Sequence, residues 1–220
     1  MSRLIRADLL KLYRRTGMMS VVAFIVLGSV VIYFGADLVL DSSSDFQTAT
    51  GVLTLVAAVA GAIIGATAGG ADIEAGVFRD LAATGRSRTA LVFSRVPAAW
   101  ILTLGMLLIA VVVSALLSSP SLGDVWRGGL SVLVSGALTG SRGPVMGIAL
   151  AFQLGVAPLL AQLDVLGNAR WAIPSVAISR LDSADGMLAA LPLAGAIAII
   201  LAWAAAGLGG GLWKTRTQEI

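Results

Sequence analysis

Seven charged residues stand together directly after a long uncharged run. Asp72, Glu74, Arg79, Asp80, Arg86, Arg88 and Arg95 occur within one short segment. A helix there, lying across the cytoplasmic surface, would present an apolar edge to a partner. The sequence has no Cys and no His. Disulfides, thiol nucleophiles, His bases and the common zinc sites are therefore excluded. An intramembrane Ser–His dyad is excluded for the same reason. The aspartyl alternative needs two facing carboxylates within the membrane, and Gly123-Asp124 has no evident partner. A P-loop needs a lysine after glycine, yet Lys11 follows Leu10 and Lys214 follows Trp213. The chain is not expected to be an enzyme.

The element that must position the charged segment precedes it. Everything between Phe46 and Ala71 lacks an ionisable side chain. A membrane-spanning helix needs about 20 apolar residues, so this run is long enough to cross. The segment after it must leave the lipid, because a charge at the bilayer centre costs about 2.5–3.5 kcal/mol on insertion scales. In Asp72–Ala83, Ile73, Val77, Phe78 and Leu81 share one helical face. That pattern predicts a short amphipathic helix at the membrane surface. Gly85 is its expected stop, and Ser87 the expected cap of the next helix.

The whole composition agrees with a membrane setting. The 220 residues are 58% apolar and 12% charged, with mean hydropathy +0.95. A soluble domain has about 45–50% apolar and about 25% charged residues. One transmembrane domain, residues 1–220, is expected. The pI near 10.0 reflects orientation rather than nucleic-acid binding. Basic residues fall in the segments expected inside, leaving only Arg127, Arg170 and Arg180 outside. By the positive-inside rule both termini are cytoplasmic. The apolar run Thr16–Ala36 is too long for a signal-peptide core and is read as a retained span.

Six crossings are expected in this all-α, polytopic protein. Met1–Arg15 forms an interfacial helix with Met1, Ile5, Leu9, Leu12 and Tyr13 on its apolar arc. Spans follow at about Gly17–Gly35, Thr50–Gly70 and Val96–Leu117, with Pro97 near the start of the third. The loops Ala36–Phe46 and Ser118–Arg127 lie outside. The fourth span is short: only Gly128–Ser141 separates Arg127 from Arg142. It must begin near Val125 or lie against protein. The fifth is about Val145–Leu163. An outer loop, Asp164–Gly186, holds Trp171 as an interface anchor, Pro174, and an amphipathic piece, Ser175–Leu181. The sixth is about Met187–Leu208, followed by Gly209-Gly210-Gly211.

Gly61, Gly65 and Gly69 recur every fourth residue, a spacing that lets another helix approach closely. Their partner could belong to the same protomer or to a second copy. Thr67, Ser135 and Gln153 are the candidate lining of a substrate path, though hydroxyls in spans usually bond backbone. Walls this apolar imply an apolar or amphipathic cargo.

The charged segment resembles the permeases of type-2 ATP-binding-cassette exporters. The match is Asp72, Gly76 and Arg79 opening a cytoplasmic coupling helix, with Arg86-Ser87-Arg88 as the turn into span three. Arg6-Ala-Asp-Leu-Leu-Lys11-Leu with Arg14-Arg15 looks like that family's elbow helix. Asp8 and Asp72 stand where the family more often has glutamate. The resemblance implies two permease copies and a separate ATPase subunit that carries ATP and Mg. The contact with that ATPase would be made by Asp72, Glu74, Gly76, Val77, Phe78, Arg79, Arg86 and Arg88. This chain would bind no cofactor itself, and the setting would be a bacterial plasma membrane. Two other readings remain open: a substrate-capture subunit of a vitamin importer, and an immunity or structural membrane protein acting without ATP.

Overall fold

The computed structural model describes residues 2–40, 45–74, 88–140, 164–182 and 191–217. Among these residues every regular element is helical. The helices are α1 (Ser2–Tyr13), α2 (Thr16–Leu40), α3 (Phe46–Glu74), α4 (Arg88–Ser118), α5 (Leu122–Gly140), α6 (Pro174–Asp182) and α7 (Leu193–Thr217). A 3-10 segment, Asp164–Ala172, is broken at Gly167, whose φ of 48° suits glycine.

Four of these helices are long and apolar enough to cross a membrane: Thr16–Ala36, Phe46–Ala68, Arg95–Ser118 and Leu193–Gly210. Helices are the expected solution there, because lipid offers backbone groups no hydrogen-bonding partner. The expected fifth span, Val145–Leu163, lies outside the described residues.

α3 is the centre of the bundle. More than half of its span is buried, against 6% of the α7 span. It packs most extensively on α5, then on α4 and α2. Val22, Val26 and Val30 of α2 recur every fourth residue and meet Leu53, Ala57, Ala60 and Ile64 of α3 in one core cluster. Leu107, Ala110 and Val111 of α4 and Val132 of α5 complete it. The opposite faces of α2 and α4 are apolar and exposed, with Phe24, Val31 and Ile32 on one and Ile101, Leu108 and Leu116 on the other. Such faces fit contact with lipid.

α5 stands where the short fourth span was expected, but it is not among the four helices long and apolar enough to cross a membrane. It begins at Leu122, earlier than expected, because Ser121 caps it. Asp124 N donates to Ser121 Oγ at 3.3 Å, and Ser121 Oγ donates to Asp124 Oδ2 at 2.6 Å. The outer loop expected over Ser118–Arg127 therefore shrinks to the turn after α4, where Ser119 takes φ 48° and Pro120 bars further helix. α5 lies against protein, as one of the two expectations had it. Gly128, Ser131, Ser135 and Thr139 form a buried stripe along it.

Several expected boundaries move. α2 continues to Leu40, through a stretch expected to be loop. α4 begins at Arg88, which places Pro97 inside the helix rather than at its start, although it stays at the edge of the apolar span. α7 begins only at Leu193 and runs through Gly209-Gly210-Gly211. Internal hydrogen bonding in lipid outweighs the roughly 1 kcal/mol that each glycine costs a helix. Tyr13, expected on the apolar arc of α1, is 65% exposed, while Leu12 is buried. The expected loop Asp164–Gly186 contains α6, with Pro174 as its first residue, a position where the missing N–H costs nothing. Trp171, the expected interface anchor, packs part-buried against Ala177, Leu191 and Ala196.

Candidate functional site: two polar clusters at opposite ends of the bundle

The segment expected to form the coupling helix is described only at its edges. Asp72 and Glu74 form the last turn of α3, continuous with the span rather than starting a new helix. Arg88 is the first residue of α4. Gly76, Val77, Phe78, Arg79 and Arg86 lie outside the described residues, as does Gln153.

One polar cluster sits at this end of the bundle. α1 lies across α4 and touches α3. Asp8, Lys11 and Leu12 of α1 and Arg15, just after it, meet Thr67 and Ala68 of α3 and Arg95 of α4 around a pocket of about 10 Å³. That is barely room for one water. Arg95 is buried, at 7% exposure. Burial depresses the Lys11 ammonium below its ordinary pKa, and Arg95 adds to this; Asp8 opposes it, and Arg15 again lowers it. Thr67 Oγ1 donates to Ile63 O at 2.8 Å, within its own helix.

The middle of the bundle is a close helix crossing. Gly61 and Gly65 are both buried. A Cβ on Gly61 would strike the Gly136 carbonyl and the Thr139 hydroxyl of α5. A Cβ on Gly136 would strike Leu107 and Thr103 of α4. The partner of Gly61 is thus α5 of the same chain. Gly69 lies further along α3, and its surroundings are outside the described residues. Ser135 Oγ donates to Thr54 O at 2.8 Å, so this candidate path residue bonds α5 to α3. Trp100 Nε1 donates to Ala137 O at 2.9 Å and ties α4 to α5.

The second polar cluster lies at the opposite end and is larger. Gly51, Thr54 and Leu55 of α3, Ser131 of α5, and Ser175, Ser179 and Asp182 of α6 line a cavity of about 260 Å³. Thr54 Oγ1 donates to Thr50 O at 2.8 Å, Ser131 Oγ to Gly128 O at 2.8 Å, and Ser179 Oγ to Ser175 O at 2.9 Å. The Thr54 and Ser131 hydroxyl oxygens are 3.3 Å apart. Burial raises the Asp182 carboxyl above its ordinary pKa, and the Asp124 and Asp45 carboxylates raise it further. α6 is held by Arg180, whose Nε donates to Leu191 O at 2.8 Å. The 3-10 segment is held by Trp203, whose Nε1 donates to Ala172 O at 2.8 Å.

Sequence reasoning treated Ser175–Leu181 as a surface piece and passed over this site. Its signal was present: Ser175, Ser179 and Asp182 recur at i, i+4 and i+7, opposite Val176, Ala177, Ile178 and Leu181. Among the described residues no group of His, Cys, Asp or Glu is arranged to hold a metal ion. Compared with known family models, curated proteins and solved structures, the chain matches none.

Proposed function

We propose that this chain is the membrane-spanning subunit of an ATP-driven exporter, moving an apolar or amphipathic substrate. A separate ATP-binding-cassette subunit hydrolyses ATP, and a second permease copy completes the transporter. The chain sits in a bacterial plasma membrane with six crossings and both termini in the cytoplasm. The segment from Asp72 to Arg88 meets the ATPase through its coupling helix.

The observation that carries this reading is the joint at the α1 end. α1 packs against the ends of both helices that bound the coupling segment. A push on that segment would reach α3 and α4 together. α3 is one unbroken helix of 29 residues, about 43 Å long at 1.5 Å per residue. It passes the Gly61 crossing and ends at the opposite cavity, so a displacement near Glu74 is carried the length of the bundle.

The test is co-purification with a candidate ATPase, comparing wild type with Phe78→Ala and Arg79→Ala. The expected result is weakened ATPase binding or uncoupled turnover in at least one variant. Full binding and normal coupled turnover in both would remove the contact.

The 260 Å³ cavity favours one second reading, a subunit that captures a small polar ligand. Native mass spectrometry of the purified chain separates the two, because a retained stoichiometric vitamin would support capture.

A further inference from the structure

Each hydroxyl has a single proton to donate. In the cavity at the α6 end, Thr54, Ser131 and Ser179 each direct that proton to a carbonyl of their own helix. The Thr54 and Ser131 hydroxyls also lie within hydrogen-bond distance of each other, at 3.3 Å with either able to donate, and each oxygen keeps a lone pair able to accept from a ligand. Asp182 adds a part-buried carboxylate to the same wall. The described lining is therefore rich in acceptors. It carries negative charge when Asp182 is ionised. No basic side chain is among the described lining residues. Arg180, two residues before Asp182, sends its Nε to Leu191 O.

We propose that this cavity binds a primary ammonium group, with Asp182 as its counter-ion and the hydroxyl oxygens of Thr54 and Ser131 as additional acceptors. Three N–H donors on a compact cation match acceptors approaching from three helices. An anion would meet like charge, and a neutral apolar molecule would offer the part-buried Asp182 carboxylate no partner. Burial and the Asp124 and Asp45 carboxylates disfavour the ionised Asp182 carboxyl, so a cation placed beside it would favour its charged form. The volume of about 260 Å³ admits a small amine or the head of a larger amphipathic one. The source of the ammonium is either a soluble amine or an aminophospholipid headgroup. This inference concerns the isolated chain and does not rest on an ATPase partner.

The test uses the purified full chain in phosphatidylcholine nanodiscs, titrated with n-butylammonium chloride by calorimetry. Binding is expected for the wild type and is expected to weaken at least about tenfold in Asp182→Asn. Tetraethylammonium, which has the charge but no N–H, is expected to bind at least about tenfold more weakly, and butyrate not at all. Glu74→Gln, at the far end of α3 from the cavity, is the control and should retain most of the affinity. Repeating the titration with phosphatidylethanolamine in the disc distinguishes the sources. A suppressed butylammonium signal identifies the lipid headgroup, and an unchanged one identifies a soluble amine. No butylammonium binding by the wild type, equal binding by wild type and Asp182→Asn, or equal binding of tetraethylammonium would overturn the proposal.

Discussion

The two ends of the bundle both concentrate polar residues, and they solve opposite problems. At the α1 end, Asp8, Lys11, Arg15 and Arg95 close around about 10 Å³, and at the α6 end Thr54, Ser131 and Asp182 surround about 260 Å³. The first is predominantly basic and tight, which suits a mechanical joint. The second is acceptor-lined and open, which suits a ligand. The same two helices, α3 and α5, separate them.

Breaking the connection between the ends should have the largest effect. Gly136→Leu drives a side chain into Leu107 and Thr103 at the α4–α5 contact. Overpacking of this kind costs about 1–3 kcal/mol in ordinary cores. With a helix backbone as the obstacle on the Gly61 side, the upper end or beyond is expected, seen as loss of monodisperse protein on size exclusion.

Next in size is the joint itself. Arg95→Ala removes a buried cation that Asp8 attracts. Removing one partner of a buried charge pair costs about 3–5 kcal/mol, and the position at the end of the span lowers this to about 2 kcal/mol. Thermal unfolding should show a clear drop in Tm, and α1 should become more accessible to protease. A Tm equal to wild type would mean that the joint is not held by this charge.

The smallest effect should have the opposite sign. Asp182→Asn removes a carboxylate whose charged form the fold disfavours. With the folded pKa raised, the native state holds the proton more tightly than the unfolded chain. Stability of the wild type therefore falls as pH rises from the ordinary carboxylate value of about 3.9 through the raised folded value. The Asn variant should be more stable than wild type at pH 7 without added amine, and the gap should close below about pH 4. A wild type more stable than the variant at pH 7 would reverse the electrostatic description of the cavity.

Much of the fold was legible because lipid leaves so few options. Uncharged runs such as Gly51–Gly70 must be helical, and α1 could be read from its apolar arc. Helix ends were less legible, since they depend on single backbone events. The Ser121 cap and the left-handed Ser119 moved the start of α5, and the glycines after Leu208 did not stop α7. The larger candidate site was missed because Thr54, Ser131 and Asp182 are far apart in sequence and individually ordinary. Gly61 was legible as a packing residue, but its partner was not.

The amino-acid order alone determined that this is a helical membrane protein with its charge gathered beyond the second span, because hydrocarbon rejects charge and unpaired backbone wherever they occur. Tertiary structure decided which small residues meet, with Gly61 finding Gly136, and which hydroxyls face a common space. Packing is a relation between distant segments, so no local pattern in the chain could specify the cavity that α3, α5 and α6 enclose together.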